Sequence, residues 1–298
     1  MRAVPIKLCS ALAACALVAG MAGCASGGGS TGVGSGDNAS LNYLSHEQAE
    51  AQELQTVTFG SYEQDGNESS TEAIEWYVLA EQDGKKLLIS KNVLDAMPFS
   101  DVDEGVTWGD SSPRPTTDVQ WADSSLRAWL NGEFLQTAFS DEERSAIVPT
   151  TIIDTKNNTP ATAATWDDPS VHAAEETEDS VFLLSTNEAR EYFNNKTARM
   201  AYPTQHALDE GVYTGVTSGA DGQIDEELSG SAVWWLRSSG YYGGYTAVVT
   251  DDGYVHGDGY RINGELHDGY DNHGENASEL GGNVGVRPCI WVEDSALA

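Results

Sequence analysis

The sequence predicts a single domain in which hairpin-joined strands alternate with short, capped helices. Three observations carry this reading. Ala73–Ala80 and Lys86–Ser90 are β-prone runs on either side of Asp83-Gly84, a pair suited to the positive φ values of a tight hairpin turn. Ser124 or Asp123 caps a run in which Leu126, Trp129, Leu130 and Phe134 recur at helical spacing, and Ser185 with Glu188 forms a second helix start, a capping box. Between Thr56 and Glu293 there is neither a linker-like stretch nor a repeat of solenoid length, so these elements share one core.

Taken in order, Thr56–Tyr62 alternates at period two and reads as the first strand, followed by the hairpin around Asp83-Gly84. Met97–Thr117 is polar, contains three prolines and reads as a loop. The helix capped at Ser124 runs through Ala138, Ser140 opens a short helical turn, and Ile147–Ile153 is a strand or its lead-in. Asn157–Asp179 is poor in apolar residues and reads as an exposed excursion, whereas Val181–Leu184 reads as a buried strand. The Ser185 helix reaches Phe193, and a further helix starts with Pro203 at its first position and stops at Gly211. Gly219–Glu227 is an acidic loop, Asn263–Asn283 a Gly-, Asp- and Asn-rich one, and Gly285–Val292 the final strand.

The N-terminus is a targeting segment. Arg2 and Lys7 form a basic head, Leu8–Ala22 an apolar run too short for a comfortable membrane span, and Met21-Ala22-Gly23-Cys24 resembles a bacterial lipobox. The expectation is a lipoprotein signal peptide over 1–23, acylation of Cys24, and a flexible Gly/Ser-rich tether over 24–55 leading into the folded domain 56–298. An ordinary cleaved signal peptide or an uncleaved anchor is the plainer alternative. With Cys9 and Cys15 removed and Cys24 acylated, Cys289 stands alone in an apolar strand context, so it is read as buried and inert, and the fold must be held by its apolar core.

Fifteen basic residues stand against 47 acidic ones, a formal charge of −32; without Arg2 and Lys7 the charge is −34. Such a balance argues against nucleic acid, whose phosphates need Lys and Arg, and against electrostatic attachment to anionic lipid. Any membrane contact then rests on the acyl anchor.

The stretch from Val233 to Arg261 is the most unusual. Six of the chain's twelve tyrosines lie between Tyr241 and Tyr270, and five of the six follow a glycine directly. Asp251-Asp252-Gly253 reads as a three-residue hairpin loop, which sets Val249 opposite Val255. In the outgoing strand Tyr254, His256, Asp258 and Tyr260 share one face and Val255, Gly257 and Gly259 the other. The expectation is that the first row faces water and, with Tyr241, Tyr242 and Tyr245, forms a ligand-binding surface. Tyrosine supplies rigid amphipathic area while Gly and Asn permit adjustment. The bland alternative is tyrosines stacking across the sheet.

Trp234-Trp235-Leu236-Arg237-Ser238, the Ala247–Tyr260 hairpin and Gly285-Val-Arg-Pro288, together with Ile74–Ala80 and Ser125–Asn131, are similar to a bacterial domain family of unknown function common in tethered surface proteins. Those domains resemble in turn the C-type-lectin-like fold shared with formylglycine-generating enzyme. The resemblance implies a compact α+β domain with antiparallel sheets and two or three short helices. It also implies that Trp235, Arg237 and Arg287 are scaffold, with Arg237 needing a buried carboxylate or carbonyl partner.

No catalytic constellation emerges. Gly-x-Ser-x-Gly, His-Glu-x-x-His, a phosphate-binding loop and Cys-x-x-Cys are absent, and Cys289 lacks the partner cysteine of the formylglycine-generating enzymes. No cofactor is expected. Oxygen ligands for calcium cluster at Asp251-Asp252, Asp221–Glu227 and His267–Glu275, but none matches EF-hand spacing, so solvated acidic loops are the favoured reading. The expected function is a non-catalytic, lipid-anchored, extracytoplasmic domain at the cell membrane that binds a glycan, peptide or protein. The alternatives are an extracytoplasmic enzyme acting on cell-envelope material and a purely structural envelope component.

Overall fold

The computed structural model describes residues 6–7, 52–101, 106–109, 112–115, 119–154, 175–216, 229–240, 245–263 and 283–297. Cys24, nearly all of the signal segment, the tether up to residue 51, Tyr241, Tyr242, and the acidic stretches 219–227 and 267–275 lie outside the described residues.

β1 (Ile6–Lys7) comes from the segment read as a signal peptide and pairs in parallel with Thr150 and Thr151. β2 (Thr56–Tyr62), β3 (Glu72–Gln82) and β4 (Lys85–Ser90) form an antiparallel meander. Its tight turn is built as the residue types require: Asp83 and Gly84 have φ of 51° and 76° in succession. β5 (Asp95–Ala96) follows. The segment read as a loop carries a two-stranded ribbon, β6 (Val106–Gly109) and β7 (Ser112–Pro115), with Pro113 and Pro115 set opposite Trp108 and Val106. Proline is tolerated there because both strands of a ribbon are edges.

α1 (Ser125–Trp129) begins where the Ser124 hydroxyl accepts the Arg127 N–H at 3.1 Å, and it continues through a π turn (Leu130–Phe134) into α2 (Leu135–Ala138). Leu126, Leu130 and Phe134, four apart, are buried. α3 (Asp141–Ala146) carries a reciprocal capping box between Ser140 and Glu143. β8 (Thr150–Asp154) then pairs with β9 (Glu175–Asp179), so the expected excursion ends in a strand. Its alternation escapes a hydrophobicity pattern because the inward residues, Thr177 and Asp179, are polar. Asp179 is 1% exposed and accepts hydrogen bonds from Arg127 Nε at 2.7 Å, Trp121 Nε1 at 2.9 Å and Thr177 Oγ1 at 2.7 Å.

Val181–Leu184 is fully buried, but in place of a ladder it makes an isolated bridge between Phe182 and Cys289. α4 (Thr186–Tyr192) starts at the Ser185–Glu188 capping box. α5 (Lys196–Arg199), capped by Asn195, is too short to leave a periodic signal. α6 (Gln205–Asp209) is capped by Thr204, whose hydroxyl accepts the Ala207 N–H, so Pro203 lies outside the helix instead of opening it. β10 (Trp234–Ser239), β11 (Tyr245–Val249) and β12 (Val255–Arg261) follow, then β13 (Gly285–Val286) and β14 (Cys289–Glu293).

The result is a mixed α+β fold with mostly antiparallel sheets. One sheet has the order β14-β4-β3-β2 and the larger one β12-β11-β10-β13-β5, in which β10–β13 is a parallel pair, as is β1–β8 elsewhere. Phe99, Phe134, Phe139, Phe182, Phe193, Trp76, Trp234 and Trp235 are fully buried among them. Among the described residues no helix is long and apolar enough to cross a membrane.

Candidate functional site

The β11–β12 hairpin turns where Asp251, Asp252 and Gly253 occur. Gly253 N–H donates to Thr250 O at 2.8 Å, Thr250 N–H to Tyr254 O at 2.9 Å, and the Asp252 carboxylate accepts the Tyr254 N–H at 3.1 Å. Gly253 is required twice over: its φ is +76°, and a Cβ would lie 2.0 Å from Lys196 O. Val249 stands opposite Val255.

Further along, β12 carries two extra residues. Val248 pairs with His256 and Thr246 with Tyr260, so Ala247 alone faces Gly257, Asp258 and Gly259. Gly259, at φ +81°, lets the backbones close, since a Cβ would sit 2.3 Å from Thr246 O. Two extra residues preserve the parity of the strand, and Tyr254, His256 and Tyr260 remain in one row. Their ring centroids are 6.3 Å apart for Tyr254–His256 and 5.6 Å for His256–Tyr260. The Gly259 N–H donates to His256 Nδ1 at 3.1 Å, which places the proton of a neutral ring on Nε2.

The expectation that this row faces open water needs correction. His256 is opposite Val248, which is opposite Trp235, and cross-strand partners share a face. Trp235 is wholly buried, its ring tilted at 60° to that of Phe99 with centroids 5.7 Å apart, and its indole N–H donates to Met97 O at 2.9 Å. The row therefore lies at the margin of a covered face: Tyr254 is 40% exposed, His256 and Tyr260 are half-buried, and Tyr260 packs partly on the core. The opposite face carries Val255, Val249 and Trp234, all buried.

Tyr245 does not join the row. It pairs with Arg261, one residue out of phase with Thr246–Tyr260, and so points to the other face, its hydroxyl accepting from Arg261 Nε at 3.4 Å. For Asp258 only the backbone is described, and Tyr241 and Tyr242 lie outside the described residues.

Three basic side chains that sequence reasoning missed surround the hairpin tip. Lys196 pairs with Asp252 at 2.8 Å and stands 5.1 Å over the Tyr254 ring; Arg199 Nε donates to Gly253 O at 2.8 Å; Arg190 Nη2 donates to Val255 O at 3.3 Å. Burial pushes the Asp252 carboxyl up, but hydrogen bonds from Lys196 and Thr250, with the Lys196 charge, overcome this and hold it below the usual carboxylate range. A usable signal existed: three of the fifteen basic residues fall within ten positions of a very acidic chain.

Beneath the tip lies scaffold. Arg237, 3% exposed, finds the carboxylate and carbonyl it needs: it donates to Glu188 Oε1 at 3.0 Å and to Leu183 O at 2.6 Å. Burial raises the Glu188 carboxyl, yet the Arg237 charge and the hydrogen bonds from Arg237 and Ser185 bring it below its ordinary value. Arg287, fully buried, donates to Ser90 O at 2.8 Å and lies 5.0 Å from the Trp234 ring and 5.2 Å from that of Phe193. Burial pulls its pKa down to about 10. The Cys289 thiol is buried, which pushes its pKa far up and leaves it unreactive in the native fold.

A second polar cluster joins β2, β5 and α6. Tyr62 Oη donates to Asp95 at 2.6 Å, and His206 presents Nδ1 to Glu63 and Nε2 to Asp95 at 3.4 Å. The carboxylates lie on opposite sides of the ring and share no ligand point. Among the described residues no group of three or more His, Cys, Asp or Glu side chains is arranged to hold a metal ion.

Residues 83–294 match the family described as a domain of unknown function, DUF6273, and the chain belongs to that family. No curated protein and no solved structure matches the chain.

Proposed function

We propose that this member of the family is a non-catalytic binding domain of C-type-lectin-like architecture. In this reading it is held at the extracytoplasmic face of the cell membrane by an acylated Cys24, and it recognises an extracellular glycan or protein through the β12 row. The observation that carries the proposal is the alignment of Tyr254, His256 and Tyr260 at an accessible margin, with a bulge fixing the imidazole so that Nε2 is the donor. Rigid rings with polar tips, backed by a buried hairpin, suit recognition at little loss of side-chain entropy.

Among the described residues His206 has its two ring nitrogens facing Glu63 and Asp95, so it is not poised to take a proton from a nucleophile.

Two measurements test the proposal. Immobilised glycans and peptides should retain the full chain and fail to retain Tyr254→Ala/Tyr260→Ala that melts within a few degrees of the parent; equal retention removes the row as the site. Cys24→Ser should move the protein from the membrane to the soluble fraction, and unchanged membrane association removes the anchor.

A further inference from the structure

Building on the aromatic-row reading, we propose that the hairpin tip is an anion subsite and that the ligand is an acidic saccharide, a sugar chain bearing carboxylates. Arg190 carries the argument. It is exposed, and its hydrogen bonds go to backbone carbonyls, Thr186 O and Val255 O, both at 3.3 Å. Among the described residues no carboxylate pairs with it.

At the tip the guanidiniums of Arg190 and Arg199 donate to backbone carbonyls, and among the described residues no carboxylate is hydrogen-bonded to either. Lys196 and Asp252 neutralise each other, and Glu188 is committed to Arg237. Asp251 lies against Gly215, where a Cβ would meet its carboxylate. Glu191, Arg190's exposed neighbour on α4, is the remaining described acid on that helix. Arg199 stands close enough to feel Arg190: burial lowers its pKa first, and the Arg190 charge lowers it further. Two adjacent guanidiniums favour an anion between or beside them, and the planar fork of arginine matches a carboxylate. In a chain of net charge −32 the long-range field repels anions, so this contact acts at short range and is screened by salt.

Geometry also separates sugar from extended peptide. β12 is the edge of its sheet, the place where a peptide strand would add. The bulge at Gly257–Gly259 breaks that edge, and Arg190 already occupies the Val255 carbonyl. What remains on offer is ring surface and cationic donors, which a pyranose bearing a carboxylate satisfies together.

The test is titration of the full chain with oligogalacturonate and with a neutral oligogalactoside of the same length. Oligogalacturonate should bind about tenfold more tightly at low salt, with the advantage shrinking as salt rises. Arg190→Gln should bring the two sugars to parity, Arg190→Lys should keep part of the preference, and Tyr254→Ala should weaken both. Equal binding of the two sugars by the parent chain, unchanged in Arg190→Gln, overturns the anion subsite while leaving the row intact. Indifference of both sugars to Tyr254→Ala overturns the row and the subsite with it. Failure of oligogalacturonate to bind, or tighter binding of an oligoglutamate peptide than of oligogalacturonate, overturns the saccharide assignment. The salt series on the parent chain and the Arg190→Lys variant keep the question decidable should Arg190→Gln not fold.

Discussion

Two edge strands of this protein slip register around a glycine, by one extra residue in β2 and by two in β12, and put the slip to opposite uses. In β2 the register slips between Thr58 and Ser61 around Gly60, at φ +72°. In β12 it slips around Gly259, at φ +81°. A side chain at Gly60 would collide with Ala138 O and the Phe139 ring, each 2.6 Å away, and the Gly60 N–H is taken by Glu143 at 3.0 Å. Around it Phe59, Tyr62, Trp76, Phe134 and Phe139 are all buried. The β2 irregularity closes a core under a helix. The β12 one leaves a row of rings at the margin, with Tyr254 the most accessible of them. Aromatic residues beside a strand bulge are therefore no sign of a site by themselves; what covers the face decides.

The comparison breaks most severely at Val255. It shares its buried face with Val249 and Trp234, so Val255→Asp buries a charge with no partner and should leave the chain unfolded at room temperature, a loss on the order of the whole stability of a domain. Circular dichroism decides this, and a cooperative melt near that of the parent would mean the faces are assigned wrongly.

Glu188 comes next. Removing its charge leaves Arg237 buried and uncompensated, and Glu188→Gln should cost about 3 kcal/mol in urea unfolding. The sign with pH follows from the lowered carboxyl. Its folded pKa lies below the unfolded value of about 4.3, so the contribution is complete above that value and disappears as pH falls through the folded one. Melting temperature against pH should show an acid limb in the parent that is shallower in Glu188→Gln; parallel curves would remove Glu188 as its source.

A finer contrast lies between two glycines of equal φ. Gly84 and Gly253 are both at +76°, but a Cβ at Gly84 meets nothing within 4 Å whereas one at Gly253 meets Lys196 O at 2.0 Å. Gly84→Ala should cost about 1 kcal/mol, the left-handed penalty alone, and Gly253→Ala about 2–3 kcal/mol because α5 must also move. Equal losses would show that α5 yields freely.

The smallest effect is expected at the row. Tyr254→Ala should change stability by no more than about 0.5 kcal/mol, while Tyr260→Ala, partly packed on the core, should cost about 1 kcal/mol. Differential scanning calorimetry resolves the two, and a larger loss at Tyr254 would make it packing.

Local chemistry was readable wherever one residue type has one strong use. Asp83-Gly84, Asp251–Gly253 and the Ser140 and Ser185 helix starts fall where the sequence places them, since tight turns and caps depend on a few neighbouring atoms. The need of Arg237 for a buried partner was also readable, although Glu188 as that partner was not, because 49 positions separate them. β9 was missed because its inward Asp179 is satisfied by Arg127 and Trp121, neither of them near in sequence. The period-two rule named which residues of β12 travel together. It said nothing of Phe99 and Met97 covering the inner part of that face, or of Tyr245 falling out of phase.

The two extra residues of β12 have a consequence for how copies of this protein behave when crowded. An outer strand with free carbonyls and amides is a template on which another chain can zip, and an aromatic one is especially prone to do so. By swelling between His256 and Tyr260, and by surrendering the Val255 carbonyl to Arg190, β12 loses the straight run that self-association requires. The irregular edge thereby disfavours pairing with a second copy of the chain.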